Sequence, residues 1–283
     1  MANLIKTLPQ ENVMIVDAMN LAFRWKHQGA TRFVDDYIGT VRSLARSYDA
    51  GQIIIAADMK GSKYRRELFS DYKGNRKELT ENQTPEEKEY IEKFFKEYEA
   101  TLEALDKSYL VFRYPGVEAD DIAAYIVKHR KEYGFKQIWL ISSDRDWDLL
   151  IKEDVNRFST VTRKEITLDT WPYDVTPEQY LCYKCLTGDK GDNIPGVPGI
   201  GPVRAKSLID EYGSAMDICD MLPIQSKYKY MQALNENKDQ IILNHELMDL
   251  ETYCEEAIGS DNVRDIGMRL VMNERIETDF RSK

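Results

Sequence analysis

Aspartate is the residue type whose placement points most directly to chemistry. Val16 is followed by Asp17, Ala57 by Asp58, and Ile141-Ser142-Ser143 by Asp144, so three apolar runs stop at a carboxylate. Three denser groups accompany them: Gly116-Val117-Glu118-Ala119-Asp120-Asp121, Ser143-Asp144-Arg145-Asp146-Trp147-Asp148 and Thr187-Gly188-Asp189-Lys190-Gly191-Asp192-Asn193. One such aspartate is usually a loop residue or a helix N-cap, and acids in a first turn can simply complement the helix dipole. Those accounts do not cover three clusters and two strand-end aspartates together. Crowded carboxylates repel one another unless cations neutralise them. Oxygen ligands without Cys or His nearby select hard ions such as Mg²⁺ or Mn²⁺. Hard ions on aspartates imply phosphate chemistry, in which paired ions about 3.5–4 Å apart activate a water and stabilise the leaving oxygen. No glycine-rich P-loop is present, which argues against nucleotide-driven phosphoryl transfer.

These side chains need a frame. Val13–Val16, Ile53–Ala57, Tyr109–Phe112 and Ile138–Ile141 are continuous apolar runs, the pattern of strands buried on both faces of a parallel sheet. Between them lie helical patterns: Val34, Tyr37, Ile38, Val41, Leu44, Ala45 and Tyr48; then Ile91, Phe94, Phe95, Tyr98, Leu102 and Leu105; then Ile122, Ala123, Tyr125 and Ile126. Strand–helix alternation predicts an α/β layer, with ligands beyond the carboxyl ends of the strands. After residue 175 the strand signals fade. Thr176-Pro177-Glu178-Gln179 reads as a capping box with proline at the first helical position, and Pro202 opens a helix that Gly213 ends. The expected division is an α/β core over 1–175 and a helical portion over 176–283, packed as one continuous domain.

Composition bounds the partners. The chain has 283 residues, 42% hydrophobic and 31% charged, a globular balance. It shows no apolar run long enough to span a bilayer and no signal-peptide pattern at its start. Four cysteines (Cys182, Cys185, Cys219, Cys254) are too few for a disulfide scaffold, so a reducing cytoplasm is expected. The Cys182-Tyr183-Lys184-Cys185 pair lacks a second pair, which argues against zinc, and His27, His129 and His245 are scattered. The net charge of −10 by itself argues against nucleic acid. Locally the sign changes: Lys60 to Lys77 carries seven basic residues against two acids, a balance of +5. In the same stretch, Tyr72-Lys73-Gly74-Asn75-Arg76-Lys77 combines an aromatic with cations, which suits a single-stranded or frayed end.

Gly196-Val197-Pro198-Gly199-Ile200-Gly201-Pro202 precedes a helix and frees backbone N–H groups for an anion. This is the pattern of a helix–hairpin–helix over about 180–213, which grips duplex phosphates without reading sequence.

With their spacing, IVDAMNLAFR, DYKGNR, GVEADD, SSDRDWD and TGDKGDNIPGVPGIG resemble the 5′ nuclease superfamily, from about Val13 to Leu222. That superfamily comprises flap endonucleases and the 5′–3′ exonuclease domain of bacterial DNA polymerase I, and the tailed-phage branch is the closest in pattern. The resemblance implies a PIN-like fold with a mostly parallel central sheet, a helical arch at about 72–106 and a C-terminal helical region. It implies a structure-selective 5′ nuclease working through two or more Mg²⁺ or Mn²⁺ ions, with K⁺ a further candidate at the hairpin. One metal cluster matches Asp17, Asp58, Glu118, Asp120 and Asp144; a second matches Asp146, Asp189 and Asp192, with Asp121 shared or outer. Lys73 and Arg76 match an active-site lysine and an arginine at the base of the arch. Tyr72 matches a base-stacking position, and Lys184 one near the scissile phosphate. The hairpin has Val203 where lysine is frequent, so Gly199, Gly201 and Arg204 are left to hold the duplex. The implied substrates are branched or 5′-ended DNA and RNA–DNA hybrids, in primer and flap removal, by a monomer in the cytoplasm (the host's, if phage-encoded). The length has no room for a polymerase domain, so a stand-alone enzyme is expected. Two rivals stand beside this reading. One is a non-catalytic DNA-junction binder, against which the full carboxylate set argues. The other is a PIN-type metal-dependent RNase, from which the hairpin discriminates.

Overall fold

The computed structural model of the chain describes residues 11–76 and 83–281, with side chains described up to residue 272. The four apolar runs become β1 (Asn12–Asp17), β2 (Gln52–Ala56), β3 (Leu110–Phe112) and β4 (Gln137–Ile141). Two strands not expected from the sequence, β5 (Val155–Phe158) and β6 (Glu165–Ile166), complete the sheet. The order is β3-β2-β1-β4-β5-β6, parallel throughout except at the antiparallel β6 edge. The chain leaves β1 toward β2 and β3 and later returns to β1's other side as β4. The carboxyl ends of β1 and β4 therefore flank the topological switch point, where open α/β sheets bind ligands.

Two compact units divide the chain. The first comprises Met1–Ser62, Thr84–Thr170 and Cys254–Lys283; the second comprises Lys63–Gln83 and Trp171–Tyr253. The division runs differently from the one expected near residue 175, because Lys63–Gln83 groups with the later helices and Cys254 onward with the sheet. Long-range bonds account for the first of these groupings, such as Arg65 donating to the Leu247 carbonyl at 2.8 Å.

In the first unit, α1 (Ala18–His27) and α2 (Val34–Ser47) flank the sheet. Met14 and Val16 of β1 share a core cluster with Leu21, Trp25, Tyr37, Val41 and Ile55. Their alternates Val13, Ile15, Ile54, Ile138 and Leu140 are buried too, as a sheet covered on both faces requires. In the second unit, α3 is Lys63–Leu68. Back in the first, α4 (Pro85–Asp106) opens with a Thr84/Glu87 capping box, and α5 (Ala119–Lys128) packs with β1 and β2.

The expected arch at 72–106 is narrowed by α4. Its first turns are mostly exposed, but from Phe94 onward Tyr98, Leu102 and Leu105 are core residues. Glu97 also accepts the Phe33 and Val34 backbone N–H groups, tying the helix to α2. The apolar stripe of this helix is consumed in the core. Residues 77–82 of the expected arch lie outside the described residues.

The second unit continues with α6 (Pro177–Thr187), a small ribbon of β7 (Gly188–Asp189) and β8 (Ile194–Pro195), and α7 (Pro202–Tyr212). It ends in α8 (Ala215–Met221), α9 (Lys229–Glu236) and α10 (Lys238–Met248). The Thr176/Gln179 capping box and the Gly213 terminus fall where the sequence predicts them. The ribbon explains two glycines. A Cβ on Gly188 would lie 2.3 Å from the Gly196 nitrogen, and one on Gly196 would lie 2.3 Å from the Thr187 carbonyl carbon. Gly188 moreover sits at φ 74°, a conformation L side chains avoid. Asn244, fully buried on α10, bonds the Cys185 and Pro195 carbonyls from one side-chain amide. All four cysteines are buried and none forms a disulfide, and burial pushes the Cys182 thiol up to about 12, the character of inert core residues. After α11 (Leu250–Ile258), α12 (Ser260–Arg281) returns to the first unit, where Arg269 donates to the Val111 carbonyl. Among the described residues no helix is long and apolar enough to cross a membrane.

Candidate active site

The first unit gathers seven of the candidate carboxylates around the carboxyl ends of its strands. Asp17 closes β1, Asp58 follows β2, and Asp144 follows β4. Each of these also has a local structural duty. Asp17 caps α1 by accepting the Asn20 N–H at 3.0 Å, and Asp58 accepts the Ala119 N–H at the start of α5 at 2.9 Å. Asp144 accepts the Asp146 N–H at 3.0 Å, capping a 3₁₀ turn over Arg145–Leu150. Capping and chemistry are thus not alternatives: a helix N-terminus orients one oxygen of each carboxylate. Glu118 and Asp121 form a capping box on α5, and both are buried.

Asp17 sits unfavourably as a charged group in this rim. The Asp17 carboxyl is pushed up to about 8, first by burial, then by Asp58, with Asp144 adding to the effect. Hydrogen bonds from the Asn20 N–H and the Ser142 hydroxyl work the other way without cancelling it. Among the described residues no three acid, histidine or cysteine side chains already close around one point as a metal cage. The donor set nevertheless fits a hard divalent cation: it is all oxygen, partly desolvated and mutually repelling.

A set of supports beneath the rim went unread in the sequence. Ser142, 1% exposed, donates to Asp17 Oδ2 at 2.7 Å and accepts the Asp144 N–H at 3.0 Å, so one hydroxyl joins two candidate ligands. Arg157 on β5 holds the Ser142 carbonyl with Nη1 and pairs with buried Asp148 through Nε and Nη2. Asn20 accepts the Ser143 N–H, and the Trp147 indole donates to Asp120 Oδ1 at 2.5 Å. Asp148 is therefore a structural acid. Ser142, Ser143, Trp147 and Asp148 lie in the SSDRDWD stretch and Asn20 in IVDAMNLAFR, whereas Arg157 lies in no motif.

The second unit holds the other two candidate carboxylates, and they are already matched with cations. Lys184, 5% exposed, pairs with Asp189 Oδ2 at 2.9 Å, and the Gly191 and Asp192 N–H groups donate to Asp189 Oδ1. Despite burial, which acts upward, Lys184 and these N–H groups leave the Asp189 carboxyl below its ordinary range. Asp192 receives the Tyr72 hydroxyl at 3.0 Å, Arg76 Nη2 at 2.9 Å and Lys73 Nζ at 3.5 Å. Lys73 also donates its backbone N–H to the Asp192 carbonyl, and it sits at φ 55°, a left-handed conformation uncommon for lysine. Tyr72 departs from the base-stacking expectation. Its ring is 5% exposed and its hydroxyl is committed to Asp192, so no face is offered to a base.

At the hairpin, Gly201 caps α7 with Pro202 at the first helical position, as expected. Gly199 takes φ 78°, and its carbonyl accepts Arg204 Nη1 while the guanidinium lies over the Tyr230 ring. Val203 is 80% exposed.

A parallel sheet carrying carboxylates at its switch point, in a chain that also folds a helical unit with a glycine hairpin, is the architecture of the 5′ nuclease class. Residues 12–174 match the model of the 5′–3′ exonuclease N-terminal resolvase-like domain, and residues 175–268 that of the 5′–3′ exonuclease C-terminal SAM fold. The chain belongs to the 5′–3′ exonuclease family, and is a nuclease that hydrolyses phosphodiester bonds. It is 43% identical over 257 residues to the flap endonuclease of Escherichia phage T5, covering 89% of this chain and 87% of that protein. DNA polymerase I of Mycobacterium tuberculosis is 30% identical over 256 residues, but this chain spans only 27% of that protein's length. The crystal structure of the bacteriophage T5 D15 flap endonuclease, in a pseudo-enzyme-product complex with DNA and metal ions, superposes with a TM-score of 0.87. The two chains are 40% identical, over 92% of this chain and 98% of that one. A T5 5′-exonuclease structure with bound divalent zinc is equally similar in fold, at 42% identity.

Proposed function

We propose that the chain is a structure-selective 5′ nuclease, a 5′-flap endonuclease and 5′–3′ exonuclease that uses divalent ions to cut branched or 5′-ended DNA. The observation that carries this reading is the rim of the first unit, where Asp17, Asp58 and Asp144 stand at the carboxyl ends of the neighbouring parallel strands β1, β2 and β4. A buried carboxyl with acidic neighbours, as Asp17 is, gains most from a bound cation. The relatives' complexes with DNA and metal ions support the same reading.

Asp17, Asp58, Glu118, Asp120 and Asp144 are the residues that would hold the first ion, with Asp121 behind them and Asp146 a further candidate. Asp189 and Asp192 are candidates for a second. Mg²⁺ or Mn²⁺ held there, by the chemistry of the donors, would supply an activated water and stabilisation of the leaving oxygen. The chain's own residues do the rest. Ser142 and the α1 N-terminus fix the orientation of Asp17, and Trp147 fixes Asp120. Lys73 and Lys184 place cations for the charge that builds on the phosphate, and Arg76, the most exposed of the three, steers the strand. Gly199, Gly201 and Arg204 grip duplex phosphates, and K⁺ at that hairpin belongs to the same proposal. Removal of flaps and RNA primers during replication, by a monomer in the cytoplasm, completes it. Tyr72 keeps a place as the hydroxyl that orients Asp192, not as a stacking platform.

The test is cleavage of one end-labelled 5′-flap DNA with Mg²⁺, with product lengths mapped. Cuts at or near the junction support the reading. An intact flap, or scattered internal cuts in single-stranded RNA alone, would favour a junction binder or a PIN-type RNase.

A further inference from the structure

Helix α4 buries Phe94, Tyr98, Leu102 and Leu105 in a cluster that also contains Ala18 and Ala57. These alanines are the chain neighbours of Asp17 and Asp58. Tyr98 is 1% exposed, and among the described residues its hydroxyl has no hydrogen-bond partner. Tyr37, packed in the same cluster, is different: its hydroxyl donates to the Ala18 carbonyl at 3.0 Å. A core position asking only for an aromatic ring would be served by phenylalanine, as at Phe94. A buried hydroxyl without a partner is costly and calls for a reason. Burial first, then the charges of Asp58 and Asp17, push the Tyr98 phenol well above its ordinary range, with Arg113 opposing and Glu99 adding. The hydroxyl is thus buried and unpartnered in the core cluster that carries the chain neighbours of two candidate metal ligands.

We propose that the Tyr98 hydroxyl is an outer positioning group for the divalent ion of the first unit, accepting a hydrogen bond from a water in that ion's shell. The inference rests on reading Asp17 and Asp58 as ligands. A hard ion such as Mg²⁺ keeps several of its waters, and those waters donate strongly to whatever surrounds them. A carboxylate at this position would accept such a bond but would add charge to a rim that already repels itself. A neutral phenol oxygen accepts without that penalty. The partnerless hydroxyl and the crowded carboxylates then have a single explanation.

Mn²⁺ titration of the DNA-free protein, followed by calorimetry, with Tm measured in chelator, tests this on the wild type and on Tyr98→Phe, Tyr37→Phe and Asp17→Asn. Tyr98→Phe is expected to weaken Mn²⁺ binding about tenfold, while its Tm in chelator holds or rises because an unsatisfied buried group is gone. Tyr37→Phe, which loses a bond already made, should lower Tm in chelator and leave Mn²⁺ affinity at the wild-type level. Wild-type Mn²⁺ affinity in Tyr98→Phe, or an affinity loss that only tracks a lower Tm in chelator, overturns the proposal. If Asp17→Asn also binds Mn²⁺ as tightly as the wild type, the ligand reading falls and takes this inference with it. If Asp17→Asn is impaired and Tyr98→Phe is not, only the inference fails.

Discussion

The two units treat their carboxylates in opposite ways. In the first, Asp17 is buried beside Asp58 and Asp144, and its carboxyl rises to about 8. In the second, Asp189 and Asp192 are met by Lys184, Lys73, Arg76 and the Tyr72 hydroxyl, and the Asp189 carboxyl is held below its usual range. One set holds a carboxyl pushed toward neutrality by burial and acidic neighbours, and the other is matched with side-chain cations. An incoming metal ion would relieve the first set directly. At the second it would have to compete with side-chain ammonium and guanidinium groups, which phosphate oxygens could draw away. The contrast teaches that a count of acids does not find a metal site; the balance around each acid does.

The strongest way to break the comparison is to remove the metal. Excess chelator should abolish cleavage of a 5′-flap substrate, and full activity in chelator would contradict the reading of both carboxylate sets. Asp120→Asn and Asp144→Asn should likewise abolish cleavage while leaving DNA binding largely intact, because neither side chain is assigned to grip phosphate. Binding shifts are the check.

Asp17→Asn separates stability from activity. A carboxyl whose folded pKa is raised contributes stability while protonated, and loses it as pH climbs through about 8. In chelator at pH 9, Asp17→Asn should therefore melt above the wild type, although it should not cut. Equal melting at pH 9 would show that the rim carries no such repulsion.

Lys73→Ala addresses the second unit. Single-turnover cleavage at saturating enzyme should fall by about 10²–10³, with a much smaller loss of affinity, whereas Arg76→Ala should affect both. A wild-type saturated rate for Lys73→Ala would reduce the lysine to a binding residue. Ser142→Ala is a milder probe of the first unit. Activity should drop by about tenfold at limiting Mn²⁺ and recover in part as Mn²⁺ is raised, since the ligands remain but lose their orientation. The smallest effect is expected at the hairpin. A Cβ on Gly201 meets nothing within 4 Å, so Gly201→Leu should fold normally and weaken duplex binding alike for all sequences. A loss confined to one sequence would contradict backbone gripping.

How much of this was legible depends on the kind of interaction. β1, β2 and β4 were readable because strands buried on both faces are continuously apolar, and their aspartates followed from the same rule. β5 was not, because Val155-Asn156-Arg157-Phe158 places a charge in the core, and only the Asp148 partner, nine residues away, makes that burial tolerable. α1 was missed because Asp17 was read as a strand end when it is also an N-cap. The stripe Phe94–Leu105 was correctly helical, but periodicity gives a helix an apolar face without saying what covers it. Tyr72 looked like a stacking residue beside Lys73 and Arg76; its hydroxyl partner is 120 residues away, a distance that local spacing does not reach.

The pairing of Lys63–Gln83 with Trp171–Tyr253 has a consequence for how the chain is made. Tyr72 cannot meet Asp192 until 120 more residues have been synthesised, and Arg65 waits 182 residues for the Leu247 carbonyl. At about 5–20 residues per second, that is a delay on the order of ten seconds or more. The first unit waits as well, because Arg269 reaches back to Val111 from near the chain's end. Both units join a segment made early to one made much later, so neither can close as an independent body until its later segment has been synthesised. Folding should therefore be slow, and sensitive to loss of α12, which carries Arg269. Appearance of nuclease activity during timed translation would be expected to lag until the last helix has emerged.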